Sequence, residues 1–200
     1  MTGRVIAVVG PSGVGKDSVM AGLHGTLPNA YLVRRVITRP KEAGGEDFDS
    51  VTEREFESLV ANGAFSIHWR AHGLCYGVPR MVQYQLGLGK DCLVNFSRTA
   101  LSHAARLFEN FVVLNITAAP DTLARRLAWR GRETEDEIAR RLSVATKSLP
   151  VGMDIRHLSN DGPLSETIAR ATLLLGPFGR ESLLPEDHDR NRQAGSEGQA

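Results

Sequence analysis

Short apolar runs alternate along the chain with segments whose apolar positions recur at helical spacing. "RVIAVVG" (4–10) is continuously apolar and bounded by glycine, the pattern of a strand buried on both faces. "DSVMAGLHGTL" (17–27) predicts a helix directly behind it, and "YLVRRVITR" (31–39) a second strand followed by the turn chemistry of "PKEAGGED". In "VTEREFESLVANG" (51–63), Thr52 and Glu55 stand at capping-box spacing and Gly63 marks the helix end. "CLVNFS" (92–97) predicts a central strand, "RTALSHAARLFEN" (98–110) a helix and "FVVLNI" (111–116) another strand. The segment 119–148 predicts two helices broken at Gly131, the second opened by Thr134 with Glu137 three residues on. "DIRHLSNDG" (154–162) and "PLSETIARATLLLG" (163–176) supply a last strand and helix. Strands alternating with helices predict an α/β fold with a parallel sheet covered on both faces. From Gly179 onward the chain is polar and aperiodic, so residues 179–200 are expected to form a disordered tail behind one domain spanning 1–178.

Composition narrows the setting. Two hundred residues suit a single domain, and a net charge of +1 gives no reason to expect a nucleic-acid-binding surface. Two cysteines, Cys75 and Cys92, form neither a disulfide framework nor a metal quartet. No run approaches the ~20 apolar residues of a membrane span, so a soluble, cytoplasmic chain is expected, with no membrane partner. Monomer and homodimer both remain open.

Residues 10–18, "GPSGVGKDS", carry the most specific chemistry. Gly10, Gly15 and Lys16 match the phosphate-binding loop G-x-x-x-x-G-K-[ST], and a buried strand before and a helix after supply its context. The loop of Gly10, Pro11, Ser12, Gly13, Val14 and Gly15 wraps closely around phosphate oxygens, its backbone N–H groups (Pro11 has none) pointing at the anion, and Lys16 adds a mobile positive charge. Asp17 departs from the pattern, standing where a magnesium-binding hydroxyl belongs. An Asp is a hard oxygen donor and binds magnesium, whereas without a metal it repels phosphate. The strand "CLVNFSR" has Asn95 and Ser97 in place of the acid that often holds the metal in such loops, so Asp17 is expected to supply that charge. The alternative has Asp17 complementing the helix N-terminus while Ser18 takes the metal, although one helical step rotates a side chain by ~100°. Arg130 and Arg132 flank Gly131 at the helix break, where a lid places guanidiniums against transferring phosphates, and Arg141 lies on the following helix. Arg125, Arg126 and Arg140 are expected to be solvated surface charge.

The motifs "GPSGVGK", "TRP", "EFESLVANGAF", Trp69 to Pro79, "RLAWRGRETEDEIARRL" and "LSND" occur in the order seen in the guanylate-kinase-like branch of the nucleoside monophosphate kinases, which the chain resembles from Arg4 to about Leu175. The resemblance implies a P-loop kinase fold with an acceptor region at about 34–88 and a lid at about 126–147, ATP and magnesium as cofactors, and Asn160 and Asp161 near the adenine. It also exposes departures. The acids that read guanine in that branch are replaced by His68, Asn95 and Ser97, and a tyrosine that helps hold the acceptor phosphate is replaced by Phe48. Arg35, Arg39, Lys41, His68, Arg70, His72 and Arg98 make the region cationic or neutral, which suits a baseless acceptor with more phosphate.

In "ITR", "HWRAHGLCYGVP", "LVNFSR", "RGRE" and "GKDS" the chain resembles the ribose 1,5-bisphosphate phosphokinases. Those enzymes pass phosphate from ATP to the 1-phosphate of ribose 1,5-bisphosphate, making 5-phosphoribosyl 1-diphosphate in phosphonate breakdown. The resemblance implies Lys16, Arg130 and Arg141 at the transferring group, with Arg132 beside the nucleotide. Arg35, Arg39, His68, Tyr76 and Arg98 would hold the sugar bisphosphate. Guanylate kinase, a kinase of another small phosphorylated acceptor, and a non-catalytic binding module are the rival readings.

Overall fold

A computed structural model describes residues 3–41, 46–130 and 148–176, with only the backbone described at Arg130. Five parallel strands form the central sheet, and their order in space is β2, β7, β1, β8, β9. These are β1 (Val5–Val9), β2 (Ala30–Leu32), β7 (Asp91–Asn95), β8 (Phe111–Thr117) and β9 (Ile155–Ser159). Every residue of β1 is fully buried. The strand's alternation divides the core in two. Val5, Ala7 and Val9 face Leu101 and Ala104 of α4 (Leu101–Leu107) and Val82 of α3 (Met81–Gly87). Ile6 and Val8 face Val19, Met20 and Leu23 of α1 (Lys16–Thr26) and Ala171 and Leu175 of α6 (Leu164–Leu175). Layers on both faces explain why β1 and β7 read as continuous apolar runs.

A second sheet of four strands, ordered β4, β3, β6, β5, sits apart from the central one. Its strands are β3 (Arg35–Ile37), β4 (Phe48–Ser50), β5 (Phe65–Ala71) and β6 (Leu74–Pro79), with β3 antiparallel to β6 and β5 antiparallel to β6. This sheet corrects the sequence expectation of a single strand over 31–39. Residues Ala30–Leu32 pair with β7 in the central sheet, whereas Arg35–Ile37 pair with β4 and β6 in the small one. The break falls at Val33 and Arg34, where the Val33 amide makes its last bond to the Leu93 carbonyl before the chain crosses over. Helix α2 (Glu53–Ala61) covers one face of the small sheet through Phe56, which clusters with Val36 and Cys75. Its capping box is present as expected, with Thr52 and Glu55 bonded reciprocally. Helix α5 (Pro120–Arg130) is the first of the two helices expected over 119–148. The second helix, Arg132, Arg140, Arg141 and the tail 179–200 lie outside the described residues.

Candidate functional site

The loop between β1 and α1 runs along the carboxyl end of the central sheet, where ligands bind in open α/β folds. Its shape depends on two glycines in left-handed backbone. Gly13 (φ 82°) presses against Leu127 of α5, and a Cβ there would approach that side chain to 3.0 Å. Gly15 (φ 90°) has the Asn160 amide 2.7 Å from where a Cβ would stand. Any larger residue at either position meets both strain and a clash. The Lys16 ammonium turns back over the loop and donates to the carbonyls of Gly10 (3.0 Å) and Pro11 (3.2 Å), keeping its charge at the loop mouth.

Asn160 holds the loop from outside. Its amide donates to the Val14 carbonyl at 2.8 Å, while its own oxygen accepts from Thr167 at 2.9 Å. At 3% exposure Asn160 is buried against these partners. Asp161 faces solvent. Hydrogen bonds from the Ser159 hydroxyl and the Ala119 amide hold its carboxyl below the usual carboxylate range. It lines a depression with Thr122, Arg125, Arg126 and Trp129. A neighbouring depression is walled by Gly13, Gly15, Ser18, Arg126, Trp129 and Asn160.

Arg126 therefore belongs to the site, contrary to its reading as surface charge: its guanidinium also donates to the Val14 carbonyl at 3.3 Å. Trp129 was not singled out by the sequence either, although its ring is 93% exposed beside the same loop. Four-residue spacing along α5 from Arg126 to Arg130, whose backbone ends that helix, was the available signal.

Asp17 and Ser18 are both exposed on the first turn of α1. Ser18 contributes to the wall beside Arg126, whereas Asp17 does not line that depression. Among the described residues no group of three or more His, Cys, Asp or Glu side chains is arranged to hold a metal ion. One carboxylate plus phosphate oxygens and water is nonetheless the usual donor set of magnesium, so the chemistry here fits that ion.

On the small sheet the predicted acceptor residues separate. Arg35, buried to 4% exposure, lies with its guanidinium 5.0 Å from the Tyr76 ring centroid and 5.7 Å from that of Trp69. The two rings stack on each other at 5.4 Å. Arg39 lies over the Phe48 ring at 4.3 Å. Burial raises the Tyr76 hydroxyl above its ordinary pKa, with Arg35 and Arg39 opposing the shift. Arg35 Nε and Arg39 Nε and Nη2 are buried with no hydrogen-bond acceptor among the described residues. Arg98 opens the short 3-10 turn after β7, and partial burial lowers its pKa below the ordinary arginine value.

His68 is not brought into this group. It pairs with Gly77 while its neighbour Trp69 pairs with Tyr76, so strand alternation sends it to the opposite face. There it is exposed, with the rings of Phe56 and Phe65 each 6.3 Å away. Arg70 shares that face and is bound to Glu53 and Glu57 of α2. The cationic set is thus smaller than the sequence suggests. One acid was overlooked: Glu46 forms an ion pair with Arg35 and accepts from the Asn95 amide at 3.2 Å. Ser97, the other position that departs from the guanine-reading pattern, accepts from the Trp69 indole at 2.9 Å.

The guanylate kinase family model matches residues 2–157. The chain is 48% identical over 174 residues to the ribose 1,5-bisphosphate phosphokinase PhnN of Ruegeria sp. (strain TM1040), covering 86% of this chain and 92% of that one. To the enzyme of the same name from Azotobacter vinelandii it is 42% identical over 177 residues, covering 88% and 96%. A crystal structure of guanylate kinase from Anaplasma phagocytophilum superposes with a TM-score of 0.63 at 22% identity, covering 87% of this chain and 85% of the other, and shares the fold. On the family model and these relatives, the chain belongs to the guanylate kinase family, and within it to the ribose 1,5-bisphosphate phosphokinases.

Proposed function

We propose that the protein transfers the γ-phosphoryl group of ATP to the 1-phosphate of ribose 1,5-bisphosphate, producing 5-phosphoribosyl 1-diphosphate and ADP. The observation that carries this reading is the pair Arg35 and Arg39, in which Arg35 Nε and Arg39 Nε and Nη2 are buried with no acceptor among the described residues. The Arg35 guanidinium beside the rings of Tyr76 and Trp69, and that of Arg39 over Phe48, are held in place for planar recognition of phosphate. Asn95 and Ser97 are neutral and each already bonded to a neighbouring side chain, and the acid beside them, Glu46, is held through both oxygens by Arg35 and Asn95.

A phosphate monoester has its second pKa near about 6, so at neutral pH the attacking oxygen carries no proton and no base is required. That oxygen forms the new bond to the γ-phosphorus while the bond from the γ-phosphorus to the β–γ bridging oxygen breaks and its electrons leave with ADP. The protein's part is alignment and charge neutralisation. The loop amides and Lys16 hold the donor phosphates, and Arg126 and Asn160 brace the loop through the Val14 carbonyl. Arg35, Arg39, Tyr76 and Arg98 would hold the acceptor, and Arg130, Arg132 and Arg141 are assigned to the transferring group. Asp17 would hold magnesium, which screens the charge on the β- and γ-phosphates when bound. Two buried free thiols, Cys75 and Cys92, favour a reducing cytoplasmic setting, and no helix among the described residues is long and apolar enough to cross a membrane.

A panel of phosphorylated acceptors with ATP and magnesium, read by product identity, tests the assignment. Ribose 1,5-bisphosphate should exceed GMP by at least about a hundredfold in kcat/KM, because the neutral Asn95 and Ser97 leave a polar base short of matched partners. A better rate with GMP would overturn it.

A further inference from the structure

A carboxylate in a pocket for a bisphosphate needs a reason, since it opposes the charge of the ligand. Glu46 lies 15% exposed by its side chain, paired with Arg35 and bonded to Asn95. These partners hold its two oxygens in place, yet each carboxylate oxygen has more than one acceptor site. Guanidinium donors on Arg35 and Arg39 remain for phosphate. The cluster therefore offers fixed acceptors beside fixed cationic donors, which is the complement of a hydroxyl next to a phosphate. Position narrows it further. Asn95 is the last residue of β7 and pairs with Val8, two residues before the phosphate loop begins at Gly10. The sugar atoms nearest the transferring phosphate are C1 and C2, so the hydroxyl that meets this carboxylate is the one on C2.

We propose that Glu46 is a specificity-determining residue that accepts a hydrogen bond from the 2-hydroxyl of the acceptor sugar, held in place by Arg35 and Asn95. This inference rests on the sugar-bisphosphate reading above. It assigns the acid a role separate from the phosphate-binding arginines: it separates ribo from 2-deoxyribo acceptors and disfavours an acceptor carrying a further phosphate at C2.

The test measures kcat/KM for ribose 1,5-bisphosphate and for its 2-deoxy analogue, with ATP and magnesium, on the full chain and on Glu46→Ala and Glu46→Gln. Where a variant turns over too slowly, the two dissociation constants from calorimetry replace the rates. The unaltered chain should prefer the ribo sugar by roughly tenfold to a hundredfold, the size of one hydrogen bond to a charged group. Glu46→Ala should bring the ratio to within about threefold of unity, with Glu46→Gln in between. A ratio taken on one preparation does not depend on how much of the variant is folded. Equal losses on both sugars, leaving the ratio unchanged, would show that Glu46 only steadies Arg35 and would overturn the proposal, as would an unaltered chain with no preference. If the unaltered chain phosphorylates neither sugar, the proposed function itself falls and the role of Glu46 with it.

Discussion

Asp17 occupies the position at which a phosphate loop ordinarily carries a hydroxyl, one residue after the lysine. A charged ligand on magnesium binds it more tightly than a neutral one, so under the proposed function Asp17 would compensate for the neutral Asn95 and Ser97 at and beyond the end of the neighbouring strand. Asp17→Ser should raise the magnesium concentration needed for half-maximal activity by about tenfold, with the melting temperature moving by no more than about 2 °C because the side chain is exposed. An unchanged magnesium requirement would take Asp17 out of the metal site. The glycine–lysine loop and the arginine types were legible at this scale, since they are local in the chain. Glu46 was not, because its partners stand 11 and 49 residues away and only folding brings them together. Nor was the separation of His68 from Tyr76, which follows from a hairpin register.

Helix α2 shows how a local signal carries into a secondary element. Thr52 accepts from the Glu55 amide while the Glu55 carboxylate accepts from the Thr52 amide, satisfying donors that the first turn otherwise leaves open. Thr52→Ala should lower stability by about 1 kcal/mol in chemical denaturation. Because α2 covers the face of the small sheet opposite Arg35, turnover at 25 °C should stay within about twofold. The strand at 31–39 illustrates the converse. Its residues favour extended backbone throughout, yet the run is divided between two sheets, because pairing partners rather than propensity decide where a strand ends.

At the scale of the whole molecule, one buried ion pair joins three distant segments. Arg4, ahead of β1, binds Asp91 at the start of β7 at 3.0 Å and donates to the carbonyls of Leu175 and Gly176 at the end of α6. Removing one partner strands a buried charge, which costs about 3–5 kcal/mol, whereas replacing both with apolar groups is far milder. Asp91→Ala should therefore destabilise the domain by about 3 kcal/mol in urea denaturation, and Arg4→Met combined with Asp91→Leu should recover most of that loss. Equal destabilisation by the single and double variants would show that the pair contributes through packing alone.

By itself the sequence determined the phosphate loop, the alternation of buried strands with amphipathic helices, and the neutral Asn95 and Ser97 at the end of the central strand run. Each of these is carried by residue type and by spacing within a few positions, which is the range over which backbone geometry is set locally. Only the tertiary structure decided that Arg126 and Asn160 meet at one carbonyl, that His68 and Arg70 lie on the face of the small sheet opposite Arg35, and that Glu46 pairs with Arg35. Those outcomes depend on strand register and on contacts between segments far apart in the chain, where a shift of a single residue moves a side chain to the other face of a sheet.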